Sequence, residues 1–195
     1  MPSETSIANV AMRHLGENPI SSIDENSDNA RLCKKYFNDA KTTALEEYCW
    51  TWAKERAQLA ADATAPAFGY DYRYLLPADC ISPFWVGKNE VELKPTQPWV
   101  VNGDYILTDV EAPIQVVMTC QRSSYARMPQ YVAEVIGAQL AVCIAQTRNG
   151  SDTSIDRMIA IYDRAVAMGK SKDRRKQNQV QEQQASGFET AMGVA

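Results

Sequence analysis

The sequence of 195 residues has little of what catalytic and metal-binding proteins use. It contains one histidine, His14, and five cysteines that are scattered without a Cys-x-x-Cys pair. It also lacks a glycine-rich phosphate loop, a Gly-Lys-Ser/Thr segment and a Gly-x-Ser-x-Gly turn. We therefore predict no catalytic, cofactor-binding or metal-binding residues, and we expect the cysteines to be reduced thiols that act as small hydrophobic side chains.

An excess of positive charge and long apolar runs are also missing. The net charge is −4 and the isoelectric point is about 5.1, whereas dedicated nucleic-acid binders are normally basic. No window approaches the roughly 18 apolar residues of a membrane span. Residues 1–6 carry neither a basic region nor an apolar run, so we expect no signal peptide.

One acidic segment, Asp24-Glu25-Asn26-Ser27-Asp28, resembles the opening of a calcium-binding loop. The sixth position is Asn29 instead of glycine, and the twelfth is Lys35 instead of glutamate. Both departures remove features that the loop needs to bind the ion. We interpret the segment as an acidic turn that caps a helix.

Proline, which breaks helix interiors, divides the chain into three parts. Seven of the nine prolines fall between Pro66 and Pro129. Helical spacing of apolar residues on either side predicts four helices, at about 4–16, 28–58, 129–148 and 151–172. We predict a mainly α protein with a β-rich insertion (α+β), divided into a helical bundle (1–65 and 129–172), a β-rich part (66–128) and a C-terminal tail (173–195) that is flexible or ordered by a partner.

Alternating apolar residues and turn signals predict antiparallel hairpins within the β-rich part. Residues 84–86 and 91–93 flank a turn at Gly87-Lys88-Asn89. Asn102-Gly103 lies between two apolar runs and is the strongest short hairpin signal of the chain. Residues 114–118 supply a final strand.

A burst of aromatic residues ends the second predicted helix and contains two of the four tryptophans. Large aromatic side chains bury much apolar area and determine where a core is centred. We interpret the burst as a structural hinge between the bundle and the β-rich part, formed by Tyr48, Trp50, Trp52 and Arg56.

Beyond Gly169 the sequence becomes basic and then rich in Gln, Ala, Ser and Gly. Five cations, Lys170, Lys172, Arg174, Arg175 and Lys176, occur within seven residues, interrupted by Ser171 and by a single acidic residue, Asp173. They either complement the dipole at the end of a helix or attach the protein to an acidic protein surface or to phosphate groups. Because acidic residues dominate elsewhere, we favour a protein partner.

Several segments together resemble a known family. Residues 15–25 (LGENPISSIDE), the aromatic segment 50–53 (WTWA) with Arg56 and Leu59, residues 74–81 (YLLPADCI), and Met128-Pro129 occur in the order and spacing of tail tubular protein A and related head-to-tail adaptors of tailed bacteriophages. The resemblance covers about residues 4–170. None of these motifs identifies the family by itself, but their order and spacing together do.

The resemblance implies a structural virion protein without catalysis. It implies a homo-oligomeric dodecamer ring, or connector, in the neck of the virion, which would assemble in the host cytoplasm. Such a ring binds the portal protein, receives the tail nozzle or tail tube protein, and leaves a channel for DNA ejection without sequence-specific contacts. For portal binding we predict the five cations and, in the tail, Phe188.

Two other functions remain open on the sequence alone. A small helical assembly chaperone or regulatory protein would bind one partner as a monomer or dimer. An enzyme would have to use Cys80 or Cys120 as a nucleophile with His14 as the base.

Overall fold

A computed structural model describes the backbone of residues 2–148 and 152–191 and the side chains of these residues up to Asn178. The described residues form four helices and seven strands, in the order α1 (Glu4–Leu15), α2 (Asp28–Glu46), β1 (Lys54–Leu59), β2 (Tyr72–Leu75), β3 (Cys80–Lys88), β4 (Val91–Glu92), β5 (Trp99–Asn102), β6 (Tyr105–Thr108), β7 (Ile114–Cys120), α3 (Gln130–Thr147) and α4 (Asp152–Ala191). The predicted α+β class, with a helical bundle and small antiparallel sheets, is confirmed.

The chain divides into two compact units. The helical unit comprises Met1–Trp52 and Ser124–Ala195, and the β unit comprises Ala53–Ser123. Residues 53–65, which we expected in the helical bundle, therefore lie in the β unit. Residues 124–128, which we expected in the β-rich part, lie in the helical unit.

The second predicted helix is shorter than its sequence pattern suggests. It ends at Glu46, and residues 54–58, which we expected to be helical, lie in strand β1. The segment Lys-Glu-Arg-Ala-Gln-Leu consists of strong helix formers, but its backbone pairs antiparallel with β7 from Lys54↔Thr119 to Leu59↔Ile114. Pairing with a distant strand overrides the local preference.

The core of the helical unit is built around α3, which packs against α1, α2 and α4. Most of α3 is buried, and its largest buried side chains include Ile136, Leu140 and Ile144. Gly137 lies where α1 crosses: a Cβ atom at this position would be 2.5 Å from Val10 Cγ1 and 3.0 Å from the Ile7 carbonyl oxygen. The glycine therefore permits the close approach of α1 and α3.

We expect Gly137→Ala to destabilise the protein, although alanine is the better helix former. Forcing a methyl group into a packed interface costs about 1–3 kcal/mol, which exceeds the roughly 1 kcal/mol gained from helix propensity. Asn38→Ala, at an exposed site of α2, is the control and should leave stability unchanged or raise it slightly. Urea denaturation measures both variants, and a Gly137→Ala protein more stable than wild type would contradict the close contact.

The last helix differs from its prediction. It continues from Asp152 to Ala191, beyond its predicted end at 172. Residues 173–191, which we expected to be flexible or ordered by a partner, are thus part of the same helix. Gly169 is a contact point within this helix, because a Cβ atom there would lie 2.9 Å from Trp50 Cη2. Residues 149–151 and 192–195 and the side chain of Phe188 lie outside the described part of the chain.

The β unit contains two antiparallel sheets, with strand orders β1-β7-β3-β4 and β2-β6-β5. Both predicted hairpins occur, since β3 pairs with β4 and β5 pairs with β6. The first turn is shifted, because Gly87 and Lys88, which we expected in it, pair with Glu92 and Val91. Asn102 remains in its strand opposite Tyr105, so the two loop residues are Gly103, with φ 59°, and Asp104. Buried side chains from both sheets share one core, which includes Tyr74, Val86, Ile106, Ile114, Val116 and Met118.

Candidate functional site

The aromatic burst contributes to the core of the helical unit immediately after α2. Trp50 is fully buried, and its indole N–H donates a hydrogen bond to the Ala44 carbonyl oxygen at 2.8 Å. That carbonyl belongs to the last turn of α2, where carbonyl groups have no partner within the helix. The Tyr48 ring contacts Trp50 edge-on at 5.0 Å between centroids, and the Tyr131 ring lies 6.3 Å away.

The other two predicted hinge residues differ from Trp50. Trp52 is only partly buried and is the last residue before the β unit, and Arg56 is exposed on β1. Residues 47–53 form turns and irregular backbone rather than a helix. Of the four predicted hinge residues, Trp50 belongs to the core and Tyr48 packs beside it. Trp52 is the last residue of the helical unit at this point of the chain, and Arg56 lies within the β unit.

A buried carboxylate on α4 is the feature that sequence reasoning missed. Asp173 is fully buried and accepts hydrogen bonds from the Tyr131 hydroxyl at 2.6 Å, the Thr51 hydroxyl at 2.9 Å and the Gln177 amide at 2.9 Å. The Thr51 backbone N–H lies 3.2 Å from the same carboxylate. These donors provide the partners that a buried charge requires.

The Asp173 cluster, formed by Thr51, Tyr131, Asp173 and Gln177, connects α4 with α3 and with the turn after α2. Burial and the bond to Asp173 raise the pKa of the Tyr131 hydroxyl above its usual range, so the hydroxyl remains a donor. The only signal in the sequence is one acidic residue among five cations.

The basic cluster lies on α4 on either side of Asp173. Lys172, Arg175 and Lys176 are exposed. Lys170 Nζ lies 3.5 Å from Glu47 Oε2, and the Arg174 guanidinium lies 6.0 Å from the centre of the Tyr48 ring. With 100° between successive helix positions, Arg175 points about 200° away from Asp173. Burial of Asp173 against the bundle therefore directs Arg175 toward solvent.

The length of α4 bears on the first explanation of these cations. A helix dipole acts within the last turn of a helix. Residues 170–176 are more than three turns from the end of α4 at Ala191. They therefore do not complement the end of this helix, and their attachment to a partner stays a prediction.

The residues considered for catalysis have other partners. His14 Nε2 lies 3.0 Å from Glu134 Oε1, and Arg13 Nη2 contacts the same oxygen at 2.7 Å. Burial raises the pKa of the Cys80 thiol and, with Asp79 and Glu55 nearby, raises that of Cys120 to about 12. Both thiols are therefore protonated at neutral pH, whereas a cysteine nucleophile acts as the thiolate.

One group of potential metal ligands occurs among the described residues. Glu55, Asp79 and Cys120 place ligand atoms within 4.8 Å of one another. Glu55 is already paired with Arg122, whose Nη1 lies 3.0 Å from Glu55 Oε2. The Cys120 thiol would have to lose its proton before it could bind a cation.

The acidic segment before α2 is a capping turn, as we interpreted it. Ser27 Oγ accepts a hydrogen bond from the Ala30 N–H at 3.2 Å and caps the helix. The Glu25 carboxylate accepts bonds from the Ser27 hydroxyl and from the backbone N–H of Ser21, and these bonds lower the pKa of Glu25. Lys34 Nζ pairs with Asp24 at 2.6 Å.

Within the described residues, no helix has the length and apolar character needed to cross a membrane.

Comparison with known proteins agrees with the family that the sequence resembles. A family model described as Tail tubular protein matches residues 6–185, which is nearly the whole chain. No curated protein matches the sequence. Since the family match spans both the helical unit and the β unit, the chain belongs to the tail tubular protein family and is a structural protein of bacteriophage tails.

Proposed function

We propose that this protein is a head-to-tail adaptor. Copies of the chain form a ring, for which the resemblance implies twelve subunits. The ring attaches to the portal protein and receives the tail nozzle or tail tube protein. The ring leaves a channel through which DNA passes without sequence-specific contacts, and the protein performs no catalysis. It resides in the neck of the virion and is assembled in the host cytoplasm.

The observation that carries the proposal is the basic cluster on α4. Five cations occur within seven residues of a helix, and the buried Asp173 beneath them limits the rotation of that helix. Exposed positive charge on a rigid element of an otherwise acidic protein suits an acidic protein partner, because complementary charges accelerate association and determine orientation. The resemblance to head-to-tail adaptors implies a portal as that partner.

Two further features fit the adaptor. The net charge of −4 would reduce attachment of DNA to a channel wall, since phosphate contacts depend on lysine and arginine. The residues Tyr48, Trp50, Trp52 and Arg56 lie where the chain passes from the helical unit to the β unit, and we propose that they act as the structural hinge that sets the shape of each subunit.

Reversing the exposed charges tests portal binding. We expect the triple variant Lys172→Glu, Arg175→Glu, Lys176→Glu to lose about 100-fold or more in affinity for purified portal rings, because like charges would then face each other. The variant retains Lys170 and Arg174, which contact Glu47 and Tyr48. Co-sedimentation with portal at several salt concentrations measures the loss.

The control is the variant Arg157→Glu, Arg164→Glu, which reverses two exposed charges on an earlier part of α4. It should bind portal as the wild type does. Equal loss in both variants would indicate a general charge effect, and unchanged binding by the triple variant would overturn the assignment of the basic cluster.

A truncation after Asn178 tests the contribution of the remaining tail, including Phe188, while retaining Asp173 and Gln177.

The mass of the complex separates the adaptor from an assembly chaperone. An adaptor should form a closed ring of many copies on the portal, whereas a chaperone should bind as a monomer or dimer. Electron microscopy of the complex counts the copies directly. One or two copies for each portal ring would favour the chaperone.

A further inference from the structure

The three-stranded sheet of the β unit has an open edge at β5. In the part of the chain that the structure describes, β5 pairs only with β6. Leu76 N–H donates to the Asp104 carbonyl at 2.9 Å on the β2 side of β6. Along a strand, the backbone N–H and C=O groups of successive residues point to opposite sides. The groups of Tyr105 and Leu107 therefore point toward β5, where they bond to Asn102 and Val100. The N–H and C=O groups of Trp99 and Val101 therefore point away from the sheet.

The opposite edge of the same sheet is protected. Asp62 N–H donates to the Arg73 carbonyl of β2 at 2.9 Å, and Arg73 Nη2 pairs with Asp62 Oδ1 at 3.2 Å. Covering chain and charged side chains are the usual means of blocking a free strand edge. Residues 99–102, Trp-Val-Val-Asn, contain no charge, and Val100 and Val101 are exposed.

An apolar groove lies on the sheet face beside this open edge. It has a volume of about 440 Å³ and is lined in part by Phe68, Val100, Tyr105 and Leu107. Phe68 is 88% exposed, and the Arg73 guanidinium covers the Tyr105 ring at 4.7 Å. A strand added to β5 would place alternate side chains over this groove, as in strand-addition complexes.

We propose that β5 is the docking edge for an extended, apolar segment of a different tail protein, which adds to the sheet as a fourth strand. The inference rests on the proposed adaptor function, because it assigns the segment to the nozzle or tail tube protein. A second copy fits less well. Pairing of β5 with β5 would be symmetric and would stop at a dimer. Among the other edge strands of another copy, β2 is covered by Asp62, β4 has only two residues, and β1 carries three charged residues, Lys54, Glu55 and Arg56, which disfavour pairing at an edge.

Val101→Pro tests the edge directly. Proline removes an N–H group that points away from β6, and proline is tolerated at this kind of edge position. We expect the variant to fold normally and to bind purified nozzle protein about tenfold or more weakly, through loss of a main-chain hydrogen bond and obstruction of pairing. Phe68→Ser, in the groove, should weaken the same binding without changing stability.

Two readouts separate this inference from the adaptor function. Val101→Pro should bind portal with wild-type affinity, and the Trp99 and Val101 amides of the wild type should become protected from hydrogen exchange when nozzle protein is added. Unchanged nozzle binding by Val101→Pro would overturn β5 as the docking edge but would leave the adaptor function untouched. Wild-type protein that binds no nozzle protein would overturn the nozzle contact of the adaptor as well, and a free dimer that Val101→Pro dissociates would assign the edge to a second copy instead.

Discussion

Replacing Trp50 with alanine is expected to lower the free energy of unfolding by about 3–5 kcal/mol, which is typical of large aromatic residues in cores. The indole is fully buried, contacts Tyr48 and Tyr131, and lies beneath Gly169 of α4. The substitution also leaves the Ala44 carbonyl without the indole N–H. A loss of this size is a large part of the total stability of a small domain.

Trp52→Ala is the matched control, because Trp52 has the same side chain two residues away and is only partly buried. We expect it to cost about 1–2 kcal/mol, in proportion to the smaller apolar area that it removes from water. Chemical denaturation of both variants measures the difference. Similar losses in the two proteins would contradict the special position of Trp50 in the core.

Asp173→Ala is expected to have the second largest effect on stability, about 3 kcal/mol, because it removes a buried acceptor and leaves several partly buried donors without their partner. Tyr131 and Thr51 would lose the carboxylate that accepts their hydrogen bonds, and Gln177 would lose a contact within its own helix. The variant should also release this part of α4 from the turn after α2, which hydrogen exchange of residues 170–177 would detect.

Asp163→Ala, an exposed aspartate on the same helix, is the control and should change stability by less than about 0.5 kcal/mol. If both variants unfold at the same denaturant concentration, the cluster does not stabilise the protein.

We also expect Asp173→Ala to weaken portal binding, although Asp173 is not exposed, because the cations around it would lose their fixed orientation.

The Asp173 cluster changes how the C-terminal region is best tested. Removing residues 170–195 would delete the basic cluster, Asp173 and Gln177 together, so a loss of portal binding could reflect a destabilised bundle. The charge reversals keep Asp173 and its partners in place. They measure the contribution of the exposed cations separately from the packing of the helix that carries them.

Some of the fold follows from local sequence. Apolar residues at helical spacing predicted α1 and α3 almost to the residue, and Asn102-Gly103 predicted the hairpin of β5 and β6. These features depend on residues that are close along the chain, so one segment contains the information. The same holds for Ser27, whose hydroxyl caps the helix that begins at the next residue.

Other features depend on contacts between distant residues and were mispredicted or missed. Residues 54–59 have a helical composition, but pairing with β7, more than 50 residues later, makes them a strand. Asp173 lies within a basic run that is typical of a solvated surface, but Tyr131 and Thr51 provide donors that allow its burial. The side chain alone gives no signal of either partner.

The sequence by itself determined the α+β class, most helices and hairpins, and the family, because these depend on local periodicity and on the order of short motifs. The tertiary structure decided where α2 ends, which tryptophan belongs to the core, and that one carboxylate holds α4 in place beneath exposed cations. It also left one edge of a sheet open and protected the other. These properties arise from long-range packing and hydrogen bonding, which become visible only when distant segments meet.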